Sequence, residues 1–511
     1  MKKIIIILVA IITCLSAVLT GCGGSTGYSN NLADLTGEVS SNGGFAVVKG
    51  DYVYFINGVA THTDDNTYGK VETGALVRVK RSDLENPADA QAEVVIPALF
   101  VAGDTTSGFY IFGDNVYYAS PVTAKNKEGK VENTKLDFIK TSLDGKTSTI
   151  VKTVDNNATN YRFVEVENVV YLVLNTVNED SENVIQIVNT ANKEVVYTTE
   201  KIESCIFTEG EDGSTVYYTR IAHDEVLDKD ESFNELHRVN VKGEDEILLT
   251  GKGMYGNEAE DTTGFGVSGA TFALLKDTAD YLFLKVTYVD TSITTVTNYC
   301  AVKKADLVKD ALSANEDKLV LLNKGTASAA TVFATTSYYK DLNTIVYLDS
   351  TRGLIKYDFE TNDPTASDGR IVVFYDKDLV GYTAKFWQDG YLYLTDSSSL
   401  YYRVNVDAIL NGEEGKVEKL NLLASSTSWY NPEVIDGYFL SVYTAQPYSS
   451  LVYVSDIEKN NALTDDEIAA ISESTEEQIR ANFATSISKV SEAINTSFEE
   501  YIEKTFGEDE E

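Results

Sequence analysis

The 511-residue sequence is poor in proline, histidine and positive charge. It contains only 6 prolines, 3 histidines and 4 cysteines. The histidines, His62, His223 and His237, are far apart in the sequence, which argues against a zinc site or a histidine-based catalytic triad. Tyrosine, in contrast, is abundant, with 32 residues. Aromatic and β-branched residues form short runs separated by Gly, Asp and Asn, a composition that indicates many short strands.

The shortage of positive charge limits the classes of partner. The chain has 42 Lys and Arg against 79 Asp and Glu, a net charge of −37. Such a surface repels nucleic acid and other polyanions, so we expect no nucleic-acid partner. Cationic peptides, neutral glycans and divalent cations remain compatible with it. The alternative is that the acidic surface only keeps the protein soluble.

One pattern, a turn followed by alternating aliphatic and aromatic residues, recurs eight times. It begins with Gly50-Asp51-Tyr52-Val53-Tyr54-Phe55. The other copies are Gly113–Tyr118, Glu167–Tyr171, Gly213–Tyr218, Asp280–Phe283, Asn343–Tyr347, Asp389–Tyr393 and Asp436–Leu440. A repeat of this kind predicts one supersecondary unit copied along the chain.

A second recurring run follows each copy and has Arg at its third position in three units. These runs are Leu76-Val77-Arg78-Val79, Leu236-His237-Arg238-Val239 and Tyr401-Tyr402-Arg403-Val404. Further runs follow or precede most units, which gives four strands per unit. The spacing predicts an all-β fold, a β-propeller with eight blades of four antiparallel strands, or seven as the alternative count.

The tyrosine-rich strand, the Leu-Tyr-Arg-like strand and the turn Leu143-Asp144-Gly145 together resemble a known family of propellers. They are similar to propellers of the low-density-lipoprotein-receptor type and to the related domain of unknown function in surface lipoproteins of Gram-positive bacteria. The resemblance covers roughly residues 40 to 457. It implies the fold, and it implies little about activity.

The final unit has no obvious fourth strand in the sequence before residue 460. Because a bare sheet edge is unfavourable, we expect an N-terminal segment around Leu32–Val39 to pair with the last blade.

From Thr464 the hydrophobic period changes to about 3.6 residues, with Ile479, Phe483 and Ile487 on one face. This predicts a C-terminal amphipathic helix, which either docks on the propeller or binds a partner.

The N-terminus has the features of an export signal. Lys2 and Lys3 precede an apolar run from Ile4 to Leu19, which ends at Leu19-Thr20-Gly21-Cys22. This tetrapeptide resembles the lipobox of bacterial lipoproteins. The resemblance implies cleavage before Cys22, lipidation of its thiol, and a lipid-anchored location on the extracytoplasmic face of the cell membrane. An ordinary signal peptide or an uncleaved anchor is the alternative.

These features predict four segments. They are a lipoprotein signal peptide (1–21), a flexible tether (22–31), the propeller (32–460) and a helical tail with an acidic end (461–511).

The remaining cysteines and motif matches carry little chemistry. Cys14 lies in the leader, and Cys205 and Cys300 lie in separate repeats, so we predict two free buried thiols. Gly251–Gly256 matches a dinucleotide-binding fingerprint without the following helix that phosphate binding needs. Asp64–Asn66 and Asp228–Glu231 resemble fragments of calcium loops, and weak calcium binding stays open. We predict no metal site, no other cofactor and no catalytic residue.

Loop length gives the main indication of a binding surface. The second-to-third-strand connections are longer in the first five units, at roughly 57–74, 120–134, 175–183, 221–235 and 288–297. Long loops on a rigid scaffold often bind ligands, although insertion drift is the alternative. We therefore predict a lipoprotein that binds or scaffolds a protein or a glycan at the cell surface and is not an enzyme. The alternative is a polysaccharide hydrolase or lyase with paired carboxylates.

Overall fold

The structure, a computed structural model, describes most of the repeat region. The described residues are 29–58, 74–87, 89–100, 108–125, 131–155, 160–207, 214–226, 229–254, 269–289, 294–324, 337–339, 344–349, 353–358, 371–375, 379–397, 400–423, 432–445, 449–461 and 485–486. Residues 1–28, with the predicted leader, Cys14 and Cys22, lie outside this set.

The described residues form eight antiparallel sheets, numbered 1 to 8 along the chain, in which consecutive strands are neighbours. Sheet 1 contains β1 (Val39–Ser40), β2 (Ala46–Lys49), β3 (Tyr52–Ile56), β4 (Leu76–Lys80) and β5 (Glu93–Ile96). Sheet 2 contains β6 (Tyr110–Phe112), β7 (Asn115–Lys125), β8 (Val131–Ser142) and β9 (Ser148–Asp155).

Sheets 3 to 5 repeat this four-stranded order. Sheet 3 contains β10 (Asn160–Val166), β11 (Val169–Val177), β12 (Asn183–Asn189) and β13 (Val195–Thr198). Sheet 4 contains β14 (Ser204–Phe207), β15 (Thr215–Val226), β16 (Lys229–Asn240) and β17 (Asp245–Thr250). Sheet 5 contains β18 (Thr271–Asp277), β19 (Tyr281–Val289), β20 (Thr295–Lys303) and β21 (Val320–Lys324).

Sheets 6 to 8 complete the set. Sheet 6 contains β22 (Ser337–Tyr339), β23 (Thr344–Asp349), β24 (Gly353–Asp358) and β25 (Ile371–Tyr375). Sheet 7 contains β26 (Thr383–Gln388), β27 (Tyr391–Thr395), β28 (Leu400–Asn405) and β29 (Val417–Leu423). Sheet 8 contains β30 (Glu433–Ile435), β31 (Tyr438–Ala445), β32 (Ser449–Asp456) and β33 (Thr485–Ser486). Three short α-helices also occur among the described residues: α1 (Leu312–Glu316), α2 (Val406–Leu410) and α3 (Ile457–Asn461).

The eight sequence copies all lie at the start of the second strand of a four-stranded unit, which in sheet 1 is counted from β2 because β1 is an additional edge strand, so the predicted period is confirmed. The turn before this strand uses backbone conformations that suit Gly, Asn and Asp. In sheet 7, for example, Asp389 and Gly390 have φ values of 50° and 77°. Positive φ at both central residues is what a type I′ hairpin turn requires. The recurring Asp-Gly is therefore a turn signal.

A β-bulge recurs between the third and fourth strands of sheets 1 to 7. In each of these sheets the register shifts about two residues before the position that Arg occupies in three of the repeats. In sheet 1 the shift lies between Leu76 and Val77, before Arg78, and in sheet 4 it lies between Leu236 and His237, before Arg238. A bulge increases the local twist of the ladder. The fourth strand is thereby turned relative to the first three in each of these sheets.

The chain divides into two compact units. Unit 1 comprises Met1–Asn156, Val442–Val452 and Ser486–Glu511, and unit 2 comprises Asn157–Ser441 and Tyr453–Thr485. Sheets 1 and 2 belong to unit 1, sheets 3 to 7 belong to unit 2, and sheet 8 contains residues assigned to each.

Each apolar core in unit 2 is shared by two consecutive sheets. One core joins Val173 and Ile187 of sheet 3 to Val216 and Val239 of sheet 4, and the cores that follow join sheets 4 and 5, 5 and 6, 6 and 7, and 7 and 8. Consecutive four-stranded antiparallel sheets that pack face to face are the blades of a β-propeller. The fold is therefore all-β, a propeller of eight blades, as predicted.

The predicted strand exchange between the N-terminus and the last sheet is wrong. Val39 and Ser40 form β1, which pairs with Lys49 and Val48 of sheet 1, and the fourth strand of sheet 8 is β33. β33 (Thr485–Ser486) also interrupts the stretch that was predicted to be an amphipathic helix. The rest of that predicted helix lies outside the described residues.

Candidate functional site

Among the described pairings, the hairpins formed by the second and third strands extend furthest in sheets 2 and 4, and those of sheets 3 and 5 continue for six residues past the equivalent of Tyr54. In sheet 1 the ladder ends two residues after Tyr54, and in sheet 7 it ends two residues after Tyr393. In sheet 4 the equivalent residue is Tyr217, and pairing continues for nine more residues to Val226. At about 3.4 Å per residue, the seven extra residues lengthen this hairpin by about 24 Å.

The hairpin of sheet 2 is extended in the same way. Pairing continues from Tyr117 opposite Lys140 to Lys125 opposite Val131, with a register shift between Val122 and Thr123. The segments 120–134 and 221–235, which were predicted as loops, are therefore mainly β-structure. The predicted loop at 175–183 is a short turn, in which the Asn178 side chain accepts hydrogen bonds from the amides of Asp180 and Glu182.

The recurring arginines of the third strand face glutamates of the fourth strand. Arg78 Nε lies 2.9 Å from Glu93 Oε2, and Arg403 Nε lies 2.6 Å from Glu418 Oε2. The third pair is Arg238 with Glu246. A tyrosine of the second strand lies opposite each arginine, which gives the same three-residue row in three sheets: Tyr54–Arg78–Glu93, Tyr217–Arg238–Glu246 and Tyr393–Arg403–Glu418.

These Tyr–Arg–Glu rows make the arginines structural. The Arg78 guanidinium is 3.9 Å from the centroid of the Tyr52 ring, and that of Arg403 is 4.3 Å from the Tyr391 centroid. Each cation is thus engaged by a carboxylate and an aromatic face within its own sheet. The sequence pattern revealed the arginines, but it did not reveal their glutamate partners.

A buried polar network occupies the contact between sheets 3 and 4. His237 is 3% exposed, and its two ring nitrogens face two carboxylates. Nε2 lies 2.9 Å from Glu235 Oε2, and Nδ1 lies 3.1 Å from Asp245 Oδ1. Because both acceptors need a proton from the ring, the arrangement fits the doubly protonated imidazolium.

Two tyrosines and an arginine complete this His237 network. Tyr197 of sheet 3 and Tyr218 of sheet 4 both donate to Asp245 Oδ2, at 2.6 and 2.5 Å. Arg220 Nε donates to Glu235 Oε2 at 2.9 Å, and another of its nitrogens donates to Glu200. Tyr197 and Glu200 precede sheet 4 in the chain, so the network links two consecutive blades.

The network shifts the acid–base properties of its members in opposite directions. Burial by itself lowers the pKa of His237, but the hydrogen bonds to Asp245 and Glu235 outweigh it and hold the pKa above its ordinary value. Burial raises the pKa of Asp245, but hydrogen bonds from His237, Tyr197 and Tyr218 outweigh it, and the pKa is lowered. The pKa of Tyr218 is raised by burial and by its bond to Asp245.

The chemistry of this network is structural. Among the described residues, no hydrogen bond joins His237 to a serine, threonine or cysteine that it could activate as a nucleophile. Its members satisfy one another, as buried charged groups must if they are not to destabilise the fold. No sequence pattern indicated this network, because its members come from different strands of sheet 4 and from the segment that precedes it.

A small polar cleft lies beside the first sheet. It has a volume of about 370 Å³ and is lined by Asp34, Asp51, Tyr52, Lys80, Arg81 and Ser82. Its charged side chains are of both signs, and most of them are exposed. The cleft was not predicted from the sequence.

The remaining predicted residues have mixed outcomes. Cys205 and Cys300 are free thiols, half-buried and buried respectively, and burial raises the pKa of Cys205 to about 12. Gly251 lies in a connection after β17, where its amide donates to Asn234 and its carbonyl accepts from Ala270. His62, residues 64–66 and Asp228 lie outside the described residues, as do residues 255–268.

The described residues contain neither a clustered set of metal ligands nor a membrane-spanning helix. No group of three or more His, Cys, Asp or Glu side chains in this part of the chain is arranged to hold a metal ion. None of the helices that these residues form has the length and apolar character needed to span a bilayer.

Comparison with known proteins identifies structural matches without a family. No protein-family model matches the chain, and no curated protein matches it. Solved structures that match include a Mycobacterium tuberculosis puromycin-hydrolyzing peptidase (10% identity, TM-score 0.37, 78% of this chain and 56% of that chain). The propeller domain of the Trilobed protease from Pyrococcus furiosus matches at 10% identity and TM-score 0.35, over 73% of this chain and 97% of that chain.

A third match is the acylaminoacyl peptidase of Pyrococcus horikoshii, at 12% identity and TM-score 0.35, over 70% of this chain and 53% of that chain. This chain therefore spans little more than half the length of two of the peptidases. The prediction that the protein is not an enzyme is contradicted by this comparison, because solved structures that match it are peptidases. The likeness is one of fold alone.

Proposed function

We propose that the protein is a lipid-anchored extracytoplasmic module whose propeller binds a protein or a glycan through its extended hairpins. The observation that carries the proposal is that the β7–β8 and β15–β16 ladders continue eight and nine residues past the position equivalent to Tyr54, against six in sheets 3 and 5 and two in sheets 1 and 7. Sheet 4, below the β15–β16 hairpin, shares apolar cores with sheets 3 and 5. Projecting segments on such a scaffold are where proteins commonly bind ligands.

The charges of the two hairpins support a role in recognition. Residues 122–135 contain four Lys and two Glu, a net charge of 4 − 2 = +2, in a chain whose net charge is −37. Residues 222–233 contain five Asp and Glu and one Lys, a net charge of 1 − 5 = −4. Each hairpin thus presents a distinct chemistry.

The acidic residues of the β15–β16 hairpin occupy paired positions on its two strands. The backbone register places Asp224 opposite Glu231 and Glu225 opposite Asp230.

Attachment to the membrane rests on the sequence. The charged and apolar leader and Leu19-Thr20-Gly21-Cys22 resemble a lipoprotein signal and lipobox. Two or more acyl chains anchor a protein stably. The module would then act outside the cytoplasmic membrane.

The test shortens each hairpin without disturbing the sheet. One variant replaces residues 122–135 with Asn-Gly, which leaves Pro121 opposite Leu136, and a second replaces residues 222–233, which leaves Ile221 opposite Asn234. Asn-Gly suits the type I′ turn of a two-residue hairpin. The control replaces residues 178–182 of sheet 3 with Asn-Gly, which removes a turn but no ladder.

Capture is measured by crosslinking on intact cells that carry the lipidated protein. We expect the doubly shortened variant to lose the crosslinked partner while its melting temperature stays near that of the original protein, and we expect the control to keep both. Undiminished crosslinking by the doubly shortened variant would contradict the proposal.

A further inference from the structure

Residues 30–44, here called the N-terminal strap, are fixed to one end of sheets 1 and 2. At the start of the strap, the Asn30 side-chain amide donates to the carbonyls of Val95 at 2.9 Å and Leu143 at 2.6 Å. The Asn30 backbone amide donates to the Asp144 carbonyl at 3.2 Å. Leu143 and Asp144 lie in the turn between β8 and β9. The chain therefore enters the described structure at that turn.

The next strap residues bond to turns and side chains at the same end of the strands. Lys49 Nζ donates to the carbonyls of Gly37 and Gly113, at 3.1 and 3.2 Å. The Gly50 amide donates to the Glu38 carbonyl at 3.0 Å. Gly50 and Gly113 belong to the turns between the first and second strands of sheets 1 and 2. In an antiparallel meander these turns lie at the same end as the third-to-fourth-strand turn.

The strap is also held by sheet 1 itself. Arg78 donates to the carbonyls of Ala33 and Asp34, at 2.7 and 3.2 Å. Further along, Val39 and Ser40 pair with β2, and the Asn42 side chain both donates to and accepts from the backbone of Ile111. With this many bonds along fifteen residues, the strap moves as part of unit 1.

The extended hairpin of sheet 2 points to the opposite end. Strand β8 runs from Val131 at the hairpin tip to Ser142, immediately before the turn that Asn30 contacts. Eleven residue steps at about 3.4 Å each separate the two ends by about 37 Å. From Cys22 to Asn30 there are eight residue steps, which span at most about 28 Å when fully extended.

We propose that the strap fixes the orientation of the protein on the membrane, so that the end of sheet 2 at the β8–β9 turn faces the bilayer and the β7–β8 hairpin faces away from it. The inference rests on the proposed lipid at Cys22. The tether is shorter than the separation between Asn30 and the hairpin tip, so the attachment point cannot reach the tip. The hairpin is then the surface that meets a partner outside the cell.

The experiment compares the distance of the two ends from a lipid surface. The lipidated full-length protein is placed in phosphatidylcholine vesicles that contain an acceptor fluorophore on the headgroup. A donor is attached through Lys146→Cys, in the β8–β9 turn, or through Lys125→Cys, at the end of β7. Lys146 is 63% exposed and pairs only with the surface carboxylate of Asp144, so its replacement should leave the fold intact.

We expect several-fold more energy transfer from position 146 than from position 125. In Asn30→Ala the first clamp is lost and the tether lengthens, so the difference between the two positions should shrink. If vesicle-bound protein shows equal energy transfer from the two positions, or more from position 125, the proposed orientation is wrong although the anchor holds. If vesicle flotation of the intact protein matches that of Cys22→Ser, the anchor fails, and with it the orientation and the membrane part of the proposed function.

Discussion

Replacement of Arg78 by Met tests whether the Tyr–Arg–Glu row stabilises the first blade and the strap together. Arg78 is 1% exposed and donates to Glu93, to the Tyr54 hydroxyl at 3.3 Å and to the carbonyls of Ala33 and Asp34. Methionine keeps most of the apolar stem and removes the charge and the donors. The change therefore isolates the polar contacts.

The size of the effect follows from the exposure of the partners. Removing one member of a buried ion pair costs about 3–5 kcal/mol because the other charge is left buried. Glu93 is 38% exposed, so water can hydrate its carboxylate after the change and reduce this cost. The released carbonyls of Ala33 and Asp34 are also close to solvent. We therefore expect a loss of about 3 kcal/mol, at the lower end of that range.

Arg238→Met is the matched control. Its row has the same register, but Arg238 and Glu246 are 28% and 27% exposed, and no bond from Arg238 to the strap is present. For such a partly solvated pair we expect a loss of about 1 kcal/mol. The difference between the two variants measures what burial and the strap contribute.

The assay is hydrogen exchange of peptides that cover β4 and residues 30–44, followed as a function of urea. Arg78→Met should accelerate exchange in both peptides, and Arg238→Met should accelerate it only around β16 and β17. Equal losses of stability in the two variants, or unchanged exchange of the strap in Arg78→Met, would refute the reasoning.

Three further predictions concern unit 2. Because the folded-state pKa of His237 is raised above 6.5 and that of Asp245 is lowered below 3.8, their stabilisation is complete between about pH 4 and 6.5. This stabilisation is lost as the pH rises through the folded-state pKa of His237 or falls through that of Asp245. The melting temperature of the original protein should therefore approach that of His237→Gln at alkaline pH. A constant difference between the two melting temperatures up to pH 10 would contradict this. Gly251→Ala places a Cβ 1.9 Å from the Ala270 carbonyl oxygen, so it should lower the free energy of unfolding in urea by about 2–3 kcal/mol. In the control Gly253→Ala the new Cβ has no described atom within 4 Å, so the loss should be about 1 kcal/mol. Cys300 is buried and the pKa of the half-buried Cys205 is raised to about 12, so both thiols should resist iodoacetamide at neutral pH. Rapid labelling of either one before unfolding, measured by mass spectrometry, would contradict the observed packing.

The second and third strands of each sheet were predictable from the sequence, and the physical reason is local. A short run of aliphatic and aromatic residues after a turn marks a strand that is buried on both faces, as β3 is, and the turn residues must tolerate positive φ. Asp389-Gly390 and Asp436-Gly437 meet that requirement, with all four φ values between 50° and 83°. Eight repetitions made the count of sheets secure.

The partners of the arginines could not be predicted, because a bulge beside each arginine sets the register of the fourth strand. The register shift between Leu76 and Val77 decides which residue of β5 lies opposite Arg78, so Glu93 does not follow as its partner from the sequence of β5 alone. The same holds for His237, which lies directly beside the shift between β16 and β17, so its contact with Asp245 depends on the register that follows the shift. The position of the N-terminal segment failed for another reason, since its bonds come mainly from the side chains of Asn30, Lys49 and Arg78.

The repeat also explains why recognition should lie where the sheets differ. At the shared positions, each arginine of the third strand donates to a glutamate of the fourth strand, so these side chains are engaged within their own sheet. Such positions must stay alike for the blades to pack. The hairpin segments beyond the shared core are not bound by this requirement. In sheets 2 and 4 these segments, the β7–β8 and β15–β16 hairpins, differ in length and in charge from those of the other sheets. Under the proposed function, we therefore expect the ligand to contact those hairpins.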